Sequence, residues 1–212
     1  MRTLLLTSIL LLTIYTFNSC SICSCKKVPC PAFSDINFET WLPYQPGQQL
    51  IFKNQSSFDT ITLSGINKSE AYEANKGCYN GDNGCYQDLS IGSNEIAGSS
   101  GNFMRKFSVN YFSTTAFSSS AYQKTINLQL REFKFTANDI SDIGFVSAPG
   151  PYSTSFSPSI ILNGTSYINV QAIVRDTTAD VSSQQPYKVY LSKGVGLIAY
   201  ETYPTRALWV KQ

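Results

Sequence analysis

Cysteine is the residue through which this chain has the most chemistry open to it. Six cysteines occur, at positions 20, 23, 25, 30, 78 and 85, and histidine is absent. Without an imidazole, the Ser-His, Cys-His and His-metal sites behind much catalysis are excluded. The thiols do not make a zinc site either: Cys23-x-Cys25 lacks the usual two-residue spacing and nothing completes the set. Asn80, Asp82 and Asn83 offer oxygens, but the glycines do not fall where an EF-hand loop needs them and no Glu follows at the right distance. No metal, cofactor or catalytic residue is therefore assigned. Cys78 and Cys85 bracket Tyr-Asn-Gly-Asp-Asn-Gly, which holds two turn dipeptides. Such a loop brings two Cα atoms within the ~6 Å a disulfide needs. A Cys78–Cys85 bridge is expected, worth roughly 2–3 kcal/mol.

Carboxylates are the remaining catalytic option. Asp139 with Asp142, or Glu132 with Asp176, would serve a hydrolase if a pair faced each other ~5–9.5 Å apart across a cleft. Nothing in the sequence selects one pair, and loop carboxylates are usually solvated. Trp41, Trp209 and the tyrosines would suit glycan binding, yet they suit a core equally well.

Cys20 has a different context. Arg2 precedes an apolar run from Leu4 to about Phe17, which breaks at Asn18-Ser19-Cys20. A basic start, a short apolar stretch and a small residue before the cut mark a secretory signal. The run is shorter than the ~20 residues of a spanning helix. Ser19-Cys20 resembles a bacterial lipobox, in which the thiol carries a diacylglyceryl thioether and the new N-terminus is acylated. Phe17 stands where that motif prefers Leu, and Ser24-Cys25 is a second candidate. Two or more acyl chains anchor a protein stably. Residues 1–19 thus read as signal peptide, 20–36 as a lipid-anchored tether with Lys26, Lys27, Pro29 and Pro31, and 37–212 as one domain. With Ser21 after the cysteine and lysines in place of an acidic run, the periplasmic face of the outer membrane is expected ahead of surface display. Cys23, Cys25 and Cys30 remain an odd trio in the tether.

Charged residues make up 14% of the chain, well below the usual ~25%, and the net charge is +2. No basic block suggests nucleic acid. The pattern is one of strands. Asp35 is placed to cap a short helical turn reaching Trp41, which Pro43 stops. Strands are expected over 46–53, 59–64, 86–91, 105–112 and 125–135, the last with a β-bulge near Arg131-Glu132 where the apolar parity shifts. Residues 137–144 read as a helical turn. Asn163-Gly164 predicts a hairpin joining 159–162 to 167–174. Three strands follow, over 187–191, 195–201 and 206–210. The expected fold is all-β: a single antiparallel twisted sheet, sandwich or half-barrel of about nine to ten strands, with little helix.

Lys193-Gly194-Val195-Gly196-Leu197-Ile198, followed by Glu201 and Trp209, and the opening Pro43-Tyr44-Gln45-Pro46-Gly47 resemble the ends of small Bacteroidota cell-envelope lipoproteins. The resemblance covers about 25 residues. It implies an envelope lipoprotein held to the membrane by its N-terminal acyl chains, with protein or glycan partners unspecified. On these grounds the expected function is a non-catalytic binding or accessory module. The alternatives are a carrier holding a lipid or apolar ligand in a curved-sheet cavity and, behind it, a carboxylate hydrolase.

Overall fold

The structure, a computed structural model, describes residues 26–30, 35–71, 73–76, 84–93, 95–97, 103–114, 123–147, 150–176, 181 and 184–212. The expected signal peptide, Cys20, Cys23, Cys25, Cys78 and the Asn80–Asn83 loop lie outside them.

Chain order is β1 (Lys26–Pro29), α1 (Ile36–Trp41), β2 (Gln49–Asn54), β3 (Ser57–Glu70), β4 (Glu73–Lys76), β5 (Tyr86–Ser93), β6 (Glu95–Ala97), β7 (Phe103–Arg105), β8 (Phe107–Thr114), β9 (Gln123–Leu130), β10 (Phe133–Ser141), β11 (Gly144–Ser147), β12 (Tyr152–Leu162), β13 (Thr165–Arg175), β14 (Pro186–Ser192), β15 (Gly196–Thr202) and β16 (Ala207–Lys211). Twelve strands form one antiparallel sheet in the order β11-β10-β9-β8-β5-β3-β2-β16-β15-β14-β13-β12. The sheet curls into a nearly closed barrel. The expected all-β antiparallel architecture is present, but nine to ten strands is too few. Two ribbons, β1–β4 and β6–β7, stand apart from it.

The barrel is a meander whose ends meet. β16 pairs with β2 through Val210↔Lys53 and Lys211↔Phe52, so the two ends of the domain zip together. The seam falls instead between β11 and β12. Gln171, reaching from β13, stands in for the missing ladder there: Phe145 N donates to its Oε1 (2.7 Å) and its Nε2 donates to Phe145 O (2.8 Å). One side-chain amide thus satisfies both backbone groups of a buried residue, which would otherwise cost a lost hydrogen bond each.

Alternation decides the inward faces. Phe107, Val109 and Tyr111 point inward from β8, and Ile126, Leu128 and Leu130 from β9. The expected bulge at Arg131-Glu132 is instead a two-residue reversal, with Arg131 at φ 53°. Leu130 pairs with Phe133 across it, so both face inward, and that is the parity shift seen in the sequence. The expected helical turn over 137–144 is the β10–β11 hairpin. In β13 the barrel-facing residues are Gln171 and Ile173. Asn163 and Gly164 both take positive φ, 47° and 83°, the two-residue hairpin turn their types predict.

The tip of the β12–β13 hairpin forms an arm. Asn169, at φ 51°, marks the bend in β13. The arm packs Ile160, Leu162 and Tyr167 with Ile198, Ala199 and Val210, a second small core on the outside of the barrel. Tyr167 Oη donates to Lys211 O at 3.3 Å, tying the arm to β16.

Candidate ligand-binding site

The one helix among the described residues plugs a barrel mouth. Asp35 caps it as its sequence position predicts: Oδ1 accepts from Phe38 N at 3.0 Å. Phe38 and Trp41, three residues apart, share the buried face. Phe38 meets the Tyr111 ring edge-on at 4.9 Å. Trp41 Nε1 donates to Ser141 O (3.0 Å) and Asn37 Nδ2 to Ile140 O (3.3 Å), which fixes the helix against β10. Six residues cannot hold a helix alone, so this tertiary packing is what maintains it.

The segment after the helix closes the plug. Tyr44 is buried, and its Oη accepts from Leu197 N at 2.8 Å. Burial pushes this phenol well above its ordinary pKa, although the bond from Leu197 opposes the shift. Gly196 makes room for it: a Cβ there would stand 2.6 Å from Tyr44 Oη, and φ is +84° besides. Pro43–Gly47 and the Lys-Gly-Val-Gly-Leu-Ile hairpin thus meet in one contact.

Between this plug and the wall lies a slit of about 360 Å³, lined by Phe38, Leu42 and Tyr44 on one side and Ile66, Leu89 and Ile91 on the other, with Glu39, Pro43 and Gln45 at its rim. Aromatic rings fill much of the interior beside it. Phe133, Phe135, Phe145 and Tyr152 contact one another through ring centroids 5.1–6.3 Å apart, and Tyr44 meets Phe107 edge-on at 5.5 Å. The slit opens at the mouth where the tether joins. Cys30 is bridged to Cys85, with Cα atoms 5.5 Å apart, just ahead of β5. Because Cys85 is bonded to Cys30, it is not available to Cys78, and the expected Cys78–Cys85 bridge is replaced by one closing a 55-residue separation.

Charged groups occupy both mouths. At the tether mouth Lys124 bridges Asp35 (2.9 Å) and Asp139 (3.2 Å), and Tyr111 Oη donates to Asp35 at 3.1 Å. Burial, then the Asp35 charge, raises the Tyr111 pKa to about 12. At the far mouth Asp59, 7% exposed, receives Arg131 (2.8 Å), Lys106 (3.2 Å) and Tyr200 Oη (2.8 Å). Burial by itself would raise the Asp59 pKa, but Arg131, Tyr200 and Lys106 outweigh it and hold it below the ordinary value. On the outer face Glu201 accepts from the phenols of Tyr187 and Tyr190 and pairs with Lys188.

The expected carboxylate pairs do not share one such cluster. Asp139 is held by Lys124, and Asp142, largely exposed, by Lys193 at 2.8 Å. Glu132 lies in the β9–β10 turn, and Asp176 follows β13 with its N–H on Pro151 O. Trp41 is fully buried, and Trp209 stacks on Tyr200 with ring planes 9° apart, so both serve the packing. Among the described residues no group of three or more His, Cys, Asp or Glu could hold a metal ion. Sequence reasoning missed the slit. Leu89 and Ile91 fall in the expected strand over 86–91 and Ile66 lies beyond the one expected over 59–64, and nothing local shows that the facing helix leaves a gap. No family model, curated protein or solved structure matches the chain.

Proposed function

We propose that the protein is a lipid-anchored, non-catalytic binding module of the cell envelope, with the slit beside α1 as its ligand site. The observation that carries this reading is the position of the slit. It is a largely apolar gap between the helix and the barrel wall, at the mouth where the tether joins. A volume near the lower end of the ~300–1,000 Å³ range of ligand pockets suits a small or single-chain apolar molecule held against the mouth. The packed aromatic interior favours such a site over a carrier that encloses its cargo. Asp35, Asp59, Asp139, Asp142 and Glu201 are engaged in pairs that brace the fold, which favours binding over carboxylate hydrolysis. The anchor rests on Cys20 and the segment before it.

Two measurements test the parts separately. Intact mass of protein extracted from membranes is expected to show Cys20 as the N-terminus with added acyl mass; an unmodified chain in the soluble fraction removes the anchor. N-phenyl-1-naphthylamine, whose fluorescence rises on burial, is expected to bind with one-to-one stoichiometry. Ile66→Trp, which fills the slit from a half-buried position, is expected to weaken that binding at least tenfold with the melting temperature kept. Equal binding by the variant would remove the slit as the site.

A further inference from the structure

The exposed apolar surface is distributed unevenly. Ten large apolar side chains are exposed among the described residues. Nine lie in the half of the barrel toward the tether. The exception is Phe58 in the β2–β3 hairpin, whose ring Lys53 Nζ approaches to 5.5 Å of its centroid. At the tether mouth these residues occupy the tips: Ile36 opens α1, Ile143 sits in the β10–β11 turn and Val195 in the β14–β15 turn. The arm adds Ile161 and Ile168, 73% and 64% exposed. The pairs Ile161↔Ser166 and Ser159↔Ile168 place them on one face of the arm, opposite the face that carries Ile160 and Tyr167 onto the barrel.

The tips are braced to one another. Gly194 N donates to Thr40 O (2.8 Å), Lys193 N to Asn169 O (3.1 Å) and Lys193 Nζ to Asp142 (2.8 Å). Helix, turns and arm are therefore held together at this mouth. Apolar clusters at the tips of loops, rimmed by polar residues, mark interaction surfaces.

The chain itself indicates what covers this mouth. Cys20 lies ten residues before Cys30, and Cys30 is fixed to Cys85 at this mouth. Ten extended residues reach at most about 35 Å. An acyl group on Cys20 would therefore hold this mouth beside the bilayer. The charges there offer no basic patch: Lys124 pairs with Asp35 and Asp139, Lys193 with Asp142, and Glu39 stands exposed at the rim, so these six groups sum to −2.

We infer that the tether mouth docks on a lipid bilayer, with Ile36, Ile143, Ile161, Ile168 and Val195 entering its interfacial layer. The inference rests on the lipid-anchored reading. It makes the contact apolar, of the kind that buries side chains about 5–10 Å into the headgroup boundary, and insensitive to salt. It also turns the opening of the slit toward the membrane.

The test uses the full-length protein extracted from membranes and reconstituted into phosphatidylcholine vesicles with brominated acyl chains. Ile143→Trp, Ile168→Trp and Phe58→Trp are compared, with the signal of the native Trp41 and Trp209 subtracted. Bromine quenching at 143 and 168 is expected to exceed that at 58 at least threefold and to persist in 0.5 M NaCl. Equal quenching at all three positions, or none, overturns the docking. Loss of quenching in salt overturns its apolar character. Shielding of the Ile143→Trp indole from acrylamide without bromine quenching would mean that a protein covers the mouth, and would also overturn it. Because 143 and 168 are exposed positions, the tryptophans do not disturb the core. Acyl mass on Cys20 without quenching leaves the anchor standing and removes the docking; quenching by a chain without acyl mass does the reverse.

Discussion

Replacing Asp59 by Asn tests whether the far mouth is held electrostatically. Asp59 is contacted by both Arg131 and Lys106, at 2.8 and 3.2 Å, and it also accepts from Tyr200. Asparagine keeps the shape and an acceptor for Tyr200 but leaves two cations facing a neutral amide. Breaking a buried pair by removing one partner costs about 3–5 kcal/mol. Here the cations are about a quarter exposed, with side-chain values of 26% and 27%, so water recovers part of that. The expected loss is about 2–3 kcal/mol at pH 7, or roughly 5–10 °C in melting temperature for a domain of this size. The pH dependence follows from the sign of the shift. The folded pKa of Asp59 lies below its unfolded value near 3.9, so its contribution is fully present above about pH 5 and is lost as pH falls through the folded pKa. Urea denaturation followed by circular dichroism should show wild type and Asp59→Asn well separated at pH 7 and converging toward pH 2. A separation below about 0.5 kcal/mol at pH 7, within the range of an exposed pair, or one that persists unchanged to pH 2, would refute the account.

The seam gives a second expectation. Gln171→Leu removes both partners of the Phe145 backbone, and at about 1–3 kcal/mol for each stranded group it should destabilise the barrel. Hydrogen exchange should show the Phe145 amide losing protection while the β8–β9 ladder keeps it. The disulfide gives a third. Peptide mapping under non-reducing conditions should recover Cys30 linked to Cys85, and joint replacement of both by Ala should cost about 4 kcal/mol for a loop of this length. Recovery of a Cys78–Cys85 peptide would show that the tether is not pinned to the barrel.

What the sequence revealed was local. Asp35 capping a turn to Trp41, the Asn163-Gly164 reversal and the inward faces of β8 and β9 each follow from a few adjacent residues. The expected all-β antiparallel sheet sums many such patterns. The errors share one cause, which is contact between distant residues. Leu130 and Phe133 give the same parity shift whether a strand bulges or turns back, and only the Leu130↔Phe133 pair distinguishes the two. Cys85 has a nearby candidate in Cys78, but the sheet brings Cys30 to it instead. The strand count fell short because β9 and β10 read as one bulged strand over 125–135, and because the end of β10 and the start of β11 fell in the stretch that read as a helical turn.

Gln171 shows the same limit at the level of a single residue. In sequence it is a polar position in an alternating strand and would be assigned to the solvent side. In the barrel it faces inward, and its amide takes the place of a backbone pair at the point where the meander fails to close. Gly144 is fitted to it, since a Cβ there would lie 2.3 Å from Gln171 Oε1. The exposed isoleucines are the converse case. Ile143, Ile161 and Ile168 are core candidates on hydrophobicity alone, yet two separate hairpins, β10–β11 and β12–β13, carry them to one mouth, the same mouth to which Cys30 ties the tether. A core residue must be explained by its neighbours within the fold. Exposed isoleucines at one mouth call for a neighbour outside it, and with an acyl group on Cys20, as proposed, the short span from Cys20 to Cys30 would make the membrane that neighbour.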